Sequence, residues 1–412
     1  MKNCTKFVLG MAVSALALTA TTSANAGSFA LKERSTRAQG LSFAGATAGS
    51  GGLSSMGFNP AALGMVEDLE LSGGLSFIQP IADGQVLTGP NAGQSVDPAR
   101  FAGLTNGYVG YRLDPQFLIG LAMYTPFGLT TQYDVGDAPA ADALTSSLRT
   151  IVFAPTVAYQ PTPEITFGAA MNIMYVDARL TSVDAGALDG TTFDIGFGVG
   201  AIWQPAPMTQ IGVAYEHGYN LQIPGTLNGV LGVEANAELP ATISAGIVQG
   251  ITSDIRVMGE VQWQNWSAFD RININSAVGF NASDPQNYDD AFFVALGGEY
   301  DVTDALTVRM GAAWDQTPTN AGNLAPFPAA LGVTNRTARV PDEDRVWLSI
   351  GASYDVNDHM TLDLGYSYLF TLEDSIVGLR AAPGGVPTAQ TGTQVSYEGG
   401  AHILSVGSTM KF

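Results

Sequence analysis

The second half of this chain repeats short segments in which apolar and polar side chains alternate. The clearest is residues 361–370 (TLDLGYSYLF), where Leu362, Leu364, Tyr366, Tyr368 and Phe370 occupy every second position. Successive side chains of a β-strand point to opposite faces, so each such segment predicts a strand with one apolar face. Fourteen candidate strands of this kind follow residue 69. Because a soluble β-sandwich would show the same alternation, the pattern alone does not separate a sandwich from a barrel.

The connections between the predicted strands narrow the fold. Six are tight and turn-like, for example Asp114-Pro115 and Asn357-Asp358, while the others are long, for example 270–289 and 318–343. Short and long connections alternate along the chain, as expected of a transmembrane barrel with short periplasmic turns and long outer loops. The sequence therefore predicts an all-β fold, a fourteen-stranded antiparallel transmembrane β-barrel over residues 69–412.

Composition agrees with a barrel in the outer membrane of a Gram-negative cell, in contact with its lipid. The chain has 37 acidic and 17 basic residues, which argues against a nucleic-acid partner because nucleic acid requires a basic surface. Charged residues are only 13 % of the chain and 49 residues are glycine, which is unusual for an acidic soluble protein. No run approaches the ~20 apolar residues of a membrane-spanning helix.

Residues 1–26 read as a signal peptide. They comprise the basic residues Lys2 and Lys6, an apolar run over 7–20, and the small-residue cleavage site Ala24-Asn25-Ala26. The only cysteine, Cys4, lies within this leader. We therefore expect an exported mature chain without disulfides, cysteine metal sites or other bound metal.

Residues 27–68 show neither the alternation of the predicted strands nor the pattern of a signal peptide. They are rich in glycine, serine and alanine, show no sustained alternation, and carry the cations Lys32, Arg34 and Arg37. A segment of this size and composition is too small to form its own core. It is predicted to lie inside the barrel as an N-terminal hatch, or plug, with its cations neutralising lumen acids such as Glu260, Asp363 and Glu299.

Several motifs carry a resemblance to a known family. They include Asn59-Pro60-Ala61, Pro126-Phe127-Gly128-Leu129, Trp266-Ser-Ala-Phe269 and Val340-Pro-Asp-Glu-Asp-Arg-Val-Trp-Leu-Ser349. With these motifs, the mature chain resembles the FadL/TodX family of outer-membrane transporters for long-chain fatty acids and other hydrophobic compounds. The resemblance implies a monomeric, plugged barrel that takes up its ligand passively. Ligand would enter an internal pocket from outside and leave sideways through a gap at a kink in the third strand.

The resemblance also implies roles for particular residues. The kink would fall at Phe127 and Gly128, where Pro126 lacks an N–H and Gly128 lacks a side chain, so strand pairing is weak. The turn formed by Asn59, Pro60 and Ala61 would lie against the kink. Phe29 would reach into the pocket as a gate. No catalytic residue and no cofactor is expected.

The substrate stays open at this point. Fatty-acid-specific members place basic residues in the pocket, but the corresponding positions here carry Ser182 and Asn273. Arg179 and Arg271 lie nearby, yet each would reach the pocket only after a register shift, which turns a side chain to the other face. These four residues are the possible head-group contacts. Since a buried carboxylate without a cation is costly, an uncharged hydrocarbon or aromatic stands beside a fatty acid as a candidate substrate.

Other function classes remain as alternatives. A structural or adhesive surface barrel, or a general porin, would share the barrel pattern, although a porin requires an open polar lumen. The three histidines, His217, His359 and His402, show no triad-like context, so an enzyme is not expected. The acidic residues 342–344 could bind a divalent cation, but solvated loop acids, or an ion pair with Arg345 lining the lumen, are the preferred interpretations.

Overall fold

Most of the chain forms β-strands, as the alternating pattern predicts. The computed structural model describes residues 28–183, 186–279, 281–319, 336–379 and 390–412, so the predicted signal peptide lies outside the described residues. The strands, numbered in chain order, are β1 (Leu69–Val86), β2 (Ser95–Val96), β3 (Ala102–Arg112), β4 (Phe117–Tyr124), β5 (Gly128–Gln132), β6 (Thr145–Thr162), β7 (Ile165–Ser182), β8 (Gly186–Ala206), β9 (Thr209–Glu216), β10 (Tyr219–Leu227), β11 (Leu231–Leu239), β12 (Thr242–Gly250), β13 (Ile255–Gln264), β14 (Arg271–Asn275), β15 (Asn281–Pro285), β16 (Ala291–Thr303), β17 (Leu306–Asp315), β18 (Arg345–Asn357), β19 (Met360–Thr371), β20 (Ser375–Gly378) and β21 (Gln394–Lys411).

Short helical elements complete the described secondary structure. They are the α-helix α1 (Thr36–Gln39) and 3₁₀ helices at Ala46–Ala48, Gly52–Gly57, Pro60–Met65, Ala138–Ala141 and Trp266–Ala268. No helix in the described ranges has the length and apolarity needed to cross a membrane.

Fourteen strands form one closed antiparallel ring, which confirms the fold predicted from the sequence. The order around the ring is β1, β3, β4, β6, β7, β8, β9, β12, β13, β16, β17, β18, β19 and β21. β21 pairs with β1 from Glu70↔Lys411 to Val86↔Val395 and closes the ring. The other strands either extend kinked wall strands, as β5 and β10 do, or form loop hairpins, as β14 and β15 do.

The two faces of the wall strands differ as predicted. In β19, Leu362 and Leu364 are 43 % and 50 % exposed. Asp363, which lies between them, and Ser367, which lies further along the strand, are buried. Apolar side chains therefore point outward, and polar side chains point into the ring. A closed sheet satisfies every ladder hydrogen bond internally, which is the requirement for a sheet that crosses lipid.

Residues 28–66, which we call the N-terminal segment, cross the lumen. A Cβ atom added to Gly351 of β18 would lie 2.9 Å from the Cα of Gly40, and one added to Gly168 of β7 would lie 2.2 Å from the nitrogen of Ala61. β7 and β18 lie on opposite sides of the ring of strands. The segment thus contacts both sides of the wall, at positions where only glycine leaves room for its backbone.

The cations of the N-terminal segment meet polar partners on the wall. Arg37 lies 3.6 Å from the Glu299 carboxylate, one of the three acids predicted to be neutralised, whereas Glu260 accepts from Thr47 and Asp363 accepts from Ser353. Arg34 pairs with Glu216 at 2.8 Å, and the Lys32 ammonium donates to Gln262 at 2.9 Å. Charged groups buried in a barrel require such partners, so these contacts position the segment, and the two carboxylates also neutralise Arg34 and Arg37.

Candidate ligand pocket and wall break

The third wall strand is interrupted. β4 ends at Tyr124 and β5 begins at Gly128, while the pairing of β3 with β4 stops at Gly107↔Met123. β5 continues the pairing with β6 from Gly128↔Arg149. The third wall strand consists of β4 followed by β5. Its backbone hydrogen bonds to the second wall strand, β3, therefore stop at the position of the predicted kink. We call this interruption the wall break.

The N-terminal segment supplies the hydrogen bonds that the wall break lacks. The Gly128 N–H donates to the Phe29 carbonyl and the Leu31 N–H donates to the Pro126 carbonyl, both at 2.8 Å. Ala30 thereby forms an antiparallel bridge with Phe127. Buried backbone groups need partners, and here residues from the start of the chain replace a neighbouring wall strand.

A side chain of β6 fixes Phe127 from the wall side. The Phe127 N–H donates to the Thr150 hydroxyl oxygen at 3.1 Å, and the Thr150 hydroxyl donates to the Phe127 carbonyl at 2.6 Å. Phe127 is 5 % exposed. The residue at the wall break is consequently held between Thr150 and the N-terminal segment.

The acidic residues 342–344, which follow β17, anchor the start of the described chain. The Ser28 N–H donates to the Asp342 carboxylate at 2.9 Å, and Arg345 lies 3.3 Å from the other Asp342 oxygen. The Thr317 hydroxyl also donates to Asp342. Of the two interpretations left open for this acidic segment, Asp342 forms the ion pair with Arg345.

Phe29 lies at the centre of an aromatic cluster. Its ring centroid is 4.8 Å from Trp266 and 5.3 Å from Phe269, both in edge-on geometry, and 6.2 Å from Phe127. Tyr288 packs on Phe269 at 5.0 Å. Edge-to-face contacts of this kind add stability beyond the buried area, so the cluster holds Phe29 in one place.

A cavity of about 110 Å³ lies beside Phe29. Its lining is mostly aliphatic, with side chains from β5 to β8, β10, β11 and β14. The apolar lining comprises Phe29, Leu129, Leu148, Ala178, Leu180, Leu188, Leu221, Ile223, Ala235, Ala237, Leu239, Phe269, Ile272 and Val340. The polar lining comprises Ser147, Asp189, Gln286, Tyr288, Thr337 and Arg339. Such a pocket, apolar with few polar groups, suits a hydrophobic ligand.

The bend between β9 and β10 shapes one side of this cavity. β9 pairs with β8 as far as Gly198↔Glu216, and β10 resumes the pairing only at Gly225↔Gly190. Between these points, Leu221 and Ile223 of β10 are buried and line the cavity. The wall strand thus turns its apolar side chains toward the ligand space.

The predicted head-group residues lie elsewhere. None of the four is among the side chains that line the cavity. Arg179 is 59 % exposed and pairs with Asp189 at 3.3 Å, and Arg271 is 50 % exposed and pairs with Asp270 at 2.7 Å. Ser182 is buried at the end of β7, and Asn273 lies in the β14 hairpin. As head-group contacts, all four remain predictions.

The Asn59-Pro60-Ala61 turn contacts a different part of the wall from the one expected. The Asn59 amide donates to the carbonyls of Thr47 (2.8 Å), Ala201 (3.2 Å) and Val213 (3.3 Å), while its oxygen accepts from the Ala61 N–H. Thr47 lies within the N-terminal segment, whereas Ala201 belongs to β8 of the wall and Val213 to β9. The turn therefore secures the N-terminal segment to these strands, whereas Phe29 to Leu31 make the contact with the wall break.

Glu33 is a buried acid of the N-terminal segment. It is 4 % exposed, and among the described residues neither carboxylate oxygen has a hydrogen-bond partner. Burial raises the pKa of Glu33 to about 7 because it penalises the charged form. Protonation of this group thus occurs close to neutral pH.

Arg339 is the cavity residue that sequence reasoning missed. It lies on the segment that follows residues 320–335 and directly precedes the Val340-Pro341 motif. No strand periodicity marks this position. The available signal was only its neighbourhood, one residue before a motif that the resemblance had singled out.

Comparison with known proteins agrees with this geometry. The sequence model of the family described as "Outer membrane protein transport protein (OMPP1/FadL/TodX)" matches residues 17–412. The chain is 24 % identical over 415 residues to the long-chain fatty acid transport protein of Salmonella typhi, covering 89 % of this chain and 91 % of the relative.

Solved structures show the same fold. A Pseudomonas aeruginosa FadL homologue superposes with a TM-score of 0.78 at 20 % identity, over 94 % of this chain and 100 % of the homologue. The Ralstonia pickettii toluene transporter TbuX gives a TM-score of 0.64 at 20 % identity, over 92 % and 98 % of the two chains. With the family match spanning nearly the whole sequence, this outer-membrane chain belongs to the OMPP1/FadL/TodX family of transport proteins.

Proposed function

We propose that this protein takes up hydrophobic molecules, either long-chain fatty acids or hydrocarbons such as monoaromatics, across the outer membrane by passive diffusion. One observation carries the proposal. Phe29 lines the apolar cavity, and the next residue, Ala30, pairs with Phe127 at the wall break. A displacement of these two residues would therefore open the cavity and the wall together.

The path has three stages. A ligand is captured from outside, enters the cavity, and leaves sideways at Phe127 and Gly128 into the membrane. The ligand passes from one apolar environment, the cavity, to another, the membrane interior, without exposing its apolar surface to water. This transfer needs no energy source beyond the concentration gradient of the ligand. Residues 27–68, which include the N-terminal segment, act as the hatch, with Phe29 as its gate. The protein works as a monomer, as a transporter and not as an enzyme, and without a cofactor.

The relatives support both ligand classes. One is named a long-chain fatty acid transport protein, and one solved neighbour is a toluene transporter. The aliphatic lining of the cavity suits either chain or ring. The alternatives of a porin or an adhesive barrel do not account for a hatch that pairs with a gap in the wall.

Uptake by cells tests the proposal. A Gram-negative strain without its own transporters of this family would express the wild-type chain, and the entry of labelled oleate and toluene would be measured. Cells with the protein are expected to take up at least one of these faster than cells without it. Leu221→Trp should reduce this uptake because the larger ring fills the cavity.

A matched control distinguishes the cavity from the wall. Leu404 of β21 is 45 % exposed on the outer face, so Leu404→Trp should leave uptake unchanged. If neither compound enters faster with the wild-type protein than without it, the proposed transport is wrong.

A further inference from the structure

The cavity beside Phe29 is small for one of the two proposed ligand classes. The space that the described residues enclose there is about 110 Å³. An apolar cavity of about 150 Å³ holds a single benzene ring. The cavity as it stands therefore admits a molecule about as large as a monoaromatic, whereas the alkyl chain of a long-chain fatty acid is several times larger. Such a chain can lie in the cavity only if part of the lining moves.

One stretch of the wall beside the cavity lacks strand pairing. Residues 191–197 of β8 and residues 217–224, which lead into and form most of β10, lie between the paired positions Gly198↔Glu216 and Gly190↔Gly225. We call this stretch the β8–β10 gap. Eight residues on one side face seven on the other, so the β10 side bulges as it does at an irregular strand pair. The paired positions fix both ends of this bulge.

The Asp194 side chain bridges the β8–β10 gap. One of its carboxylate oxygens accepts from the Asn220 N–H at 2.9 Å, and the other accepts from the N–H of the neighbouring Ile195 at 2.8 Å. Asp194 thereby joins the backbones of β8 and β10 where they are not paired. This side-chain bond can break and form again without disturbing the wall, because backbone bonds of their own hold the two ends of the gap.

The β10 side of the gap separates the cavity from the outside of the barrel. Leu221 and Ile223 of β10 line the cavity, while Phe193 and Ile195 of β8 are exposed on the outer face. A Cβ atom added to Gly190 would lie 2.7 Å from the Ile223 side chain, so this side chain packs directly against β8. An outward displacement of β10 would therefore enlarge the cavity.

We infer that the β8–β10 gap widens to admit long-chain ligands and that Asp194 holds it closed in their absence. This inference rests on the proposed transport function and separates its two ligand classes by size. A monoaromatic occupies the cavity with the gap closed, and a long alkyl chain occupies it with the gap open. A ligand shifts a conformational equilibrium only if its affinities for the two states differ, and here the long chain has that difference.

A distance between two spin labels tests the widening. The labels would be attached at Gln222→Cys, an exposed position of β10, and at Val406→Cys on the outer face of β21, on the opposite side of the ring. The purified protein in lipid nanodiscs would be measured by pulsed electron paramagnetic resonance without ligand and with toluene, oleate or hexadecane. Oleate and hexadecane should each lengthen the distance by roughly 4 Å, the contact distance of one further layer of apolar atoms, and toluene should not change it.

Loss of the Asp194 bridge tests the role of this residue. Asp194→Ala removes both acceptors, so the gap should open more readily. The affinities for oleate and hexadecane should both rise by ~10-fold, as expected for charged hydrogen bonds, and the affinity for toluene should stay within ~2-fold. Because hexadecane is uncharged, an equal gain for both long chains excludes an effect of the lost negative charge.

A matched aspartate controls for the loss of two backbone contacts. Asp114 accepts from the Gln116 and Phe117 N–H groups in the turn between β3 and β4, so Asp114→Ala should leave all three affinities unchanged. An unchanged label distance with a long chain bound overturns the inference, as does an Asp194→Ala protein that gains no affinity for long chains. Either result leaves the transport proposal standing. If the wild type binds none of the three ligands, the transport proposal itself fails.

Discussion

At the scale of single residues, Glu33 makes the N-terminal segment sensitive to pH. Burial raises its pKa from 4.5 to about 7. A group with a raised pKa in the folded state stabilises that state fully below its unfolded pKa, and this contribution is lost as the pH rises through the folded value. The seating of the N-terminal segment should therefore be strongest below pH 4.5 and weaken up to pH 7. The shift corresponds to ~3 kcal/mol.

Glu33→Gln should remove this dependence, because the amide does not ionise. Hydrogen exchange of residues 28–66, corrected for intrinsic rates, would be compared at pH 5 and pH 8. In the wild type, protection should fall at pH 8, and in Glu33→Gln it should change little. Glu67 is an exposed acid in the bend that follows the 3₁₀ helix Pro60–Met65, so Glu67→Gln should behave like the wild type. Equal pH dependence in Glu33→Gln would show that another group is responsible.

The position of the wall break could be predicted from the sequence through a family motif. The resemblance implied a kink at Phe127 and Gly128, and local chemistry agrees, because Pro126 has no N–H and Gly128 has no side chain, which weakens strand pairing. Arg339 could not be found in this way. Its place in the cavity depends on how the segment after residues 320–335 folds back over β6 and β7, which is a tertiary property. Ser182 and Asn273 lie outside the lining of this cavity for a related reason, since strand register decides which positions line it.

At the scale of secondary-structure elements, glycines on the inner face of the wall set where the N-terminal segment can rest. Gly168 of β7 faces the Pro60–Ala61 peptide, and Gly200 of β8 faces the Asn59 side chain, each at a distance that excludes a Cβ atom. The alternation in β19 predicted which face points inward, but it could not show which inward glycines meet the N-terminal segment. The hydrogen bonds of Asn59 to β8 and β9 were accordingly not predicted.

Gly168→Val should displace the Pro60–Ala61 turn and loosen the N-terminal segment, because the new side chain would overlap its backbone. In a planar lipid bilayer, the wild-type barrel should pass little steady ion current, and the variant should pass more. Gly107→Val places the same side chain on an outward-facing position of β3, where a Cβ would meet only the Met123 methyl group at 3.9 Å. Its current should match the wild type. A closed Gly168→Val barrel would contradict the seating role of this contact.

At the scale of the whole molecule, one short stretch of chain joins three structures. Ser28 bonds to Asp342, Phe29 lines the cavity, and Ala30 bridges to the wall break. Beyond them, the segment crosses the lumen to β18. The closed ring could be predicted from alternation and loop lengths alone. The coupling between loop, cavity and wall could not, because it arises from contacts between residues about 100 to 300 positions apart.

A covalent link between residues 30 and 127 tests the central claim that the beginning of the N-terminal segment must move for ligand to pass. The bonds that flank this pair make it a non-hydrogen-bonded antiparallel pair, with Cα atoms ~4.5 Å apart, inside the range of a disulfide. The double variant Ala30→Cys and Phe127→Cys adds the only cysteines expected in the mature chain. Oleate uptake by cells should be low in the oxidised protein and recover on reduction. If the oxidised and reduced proteins transport oleate at the same rate, ligand passes without movement of the N-terminal segment, and the proposed route is wrong.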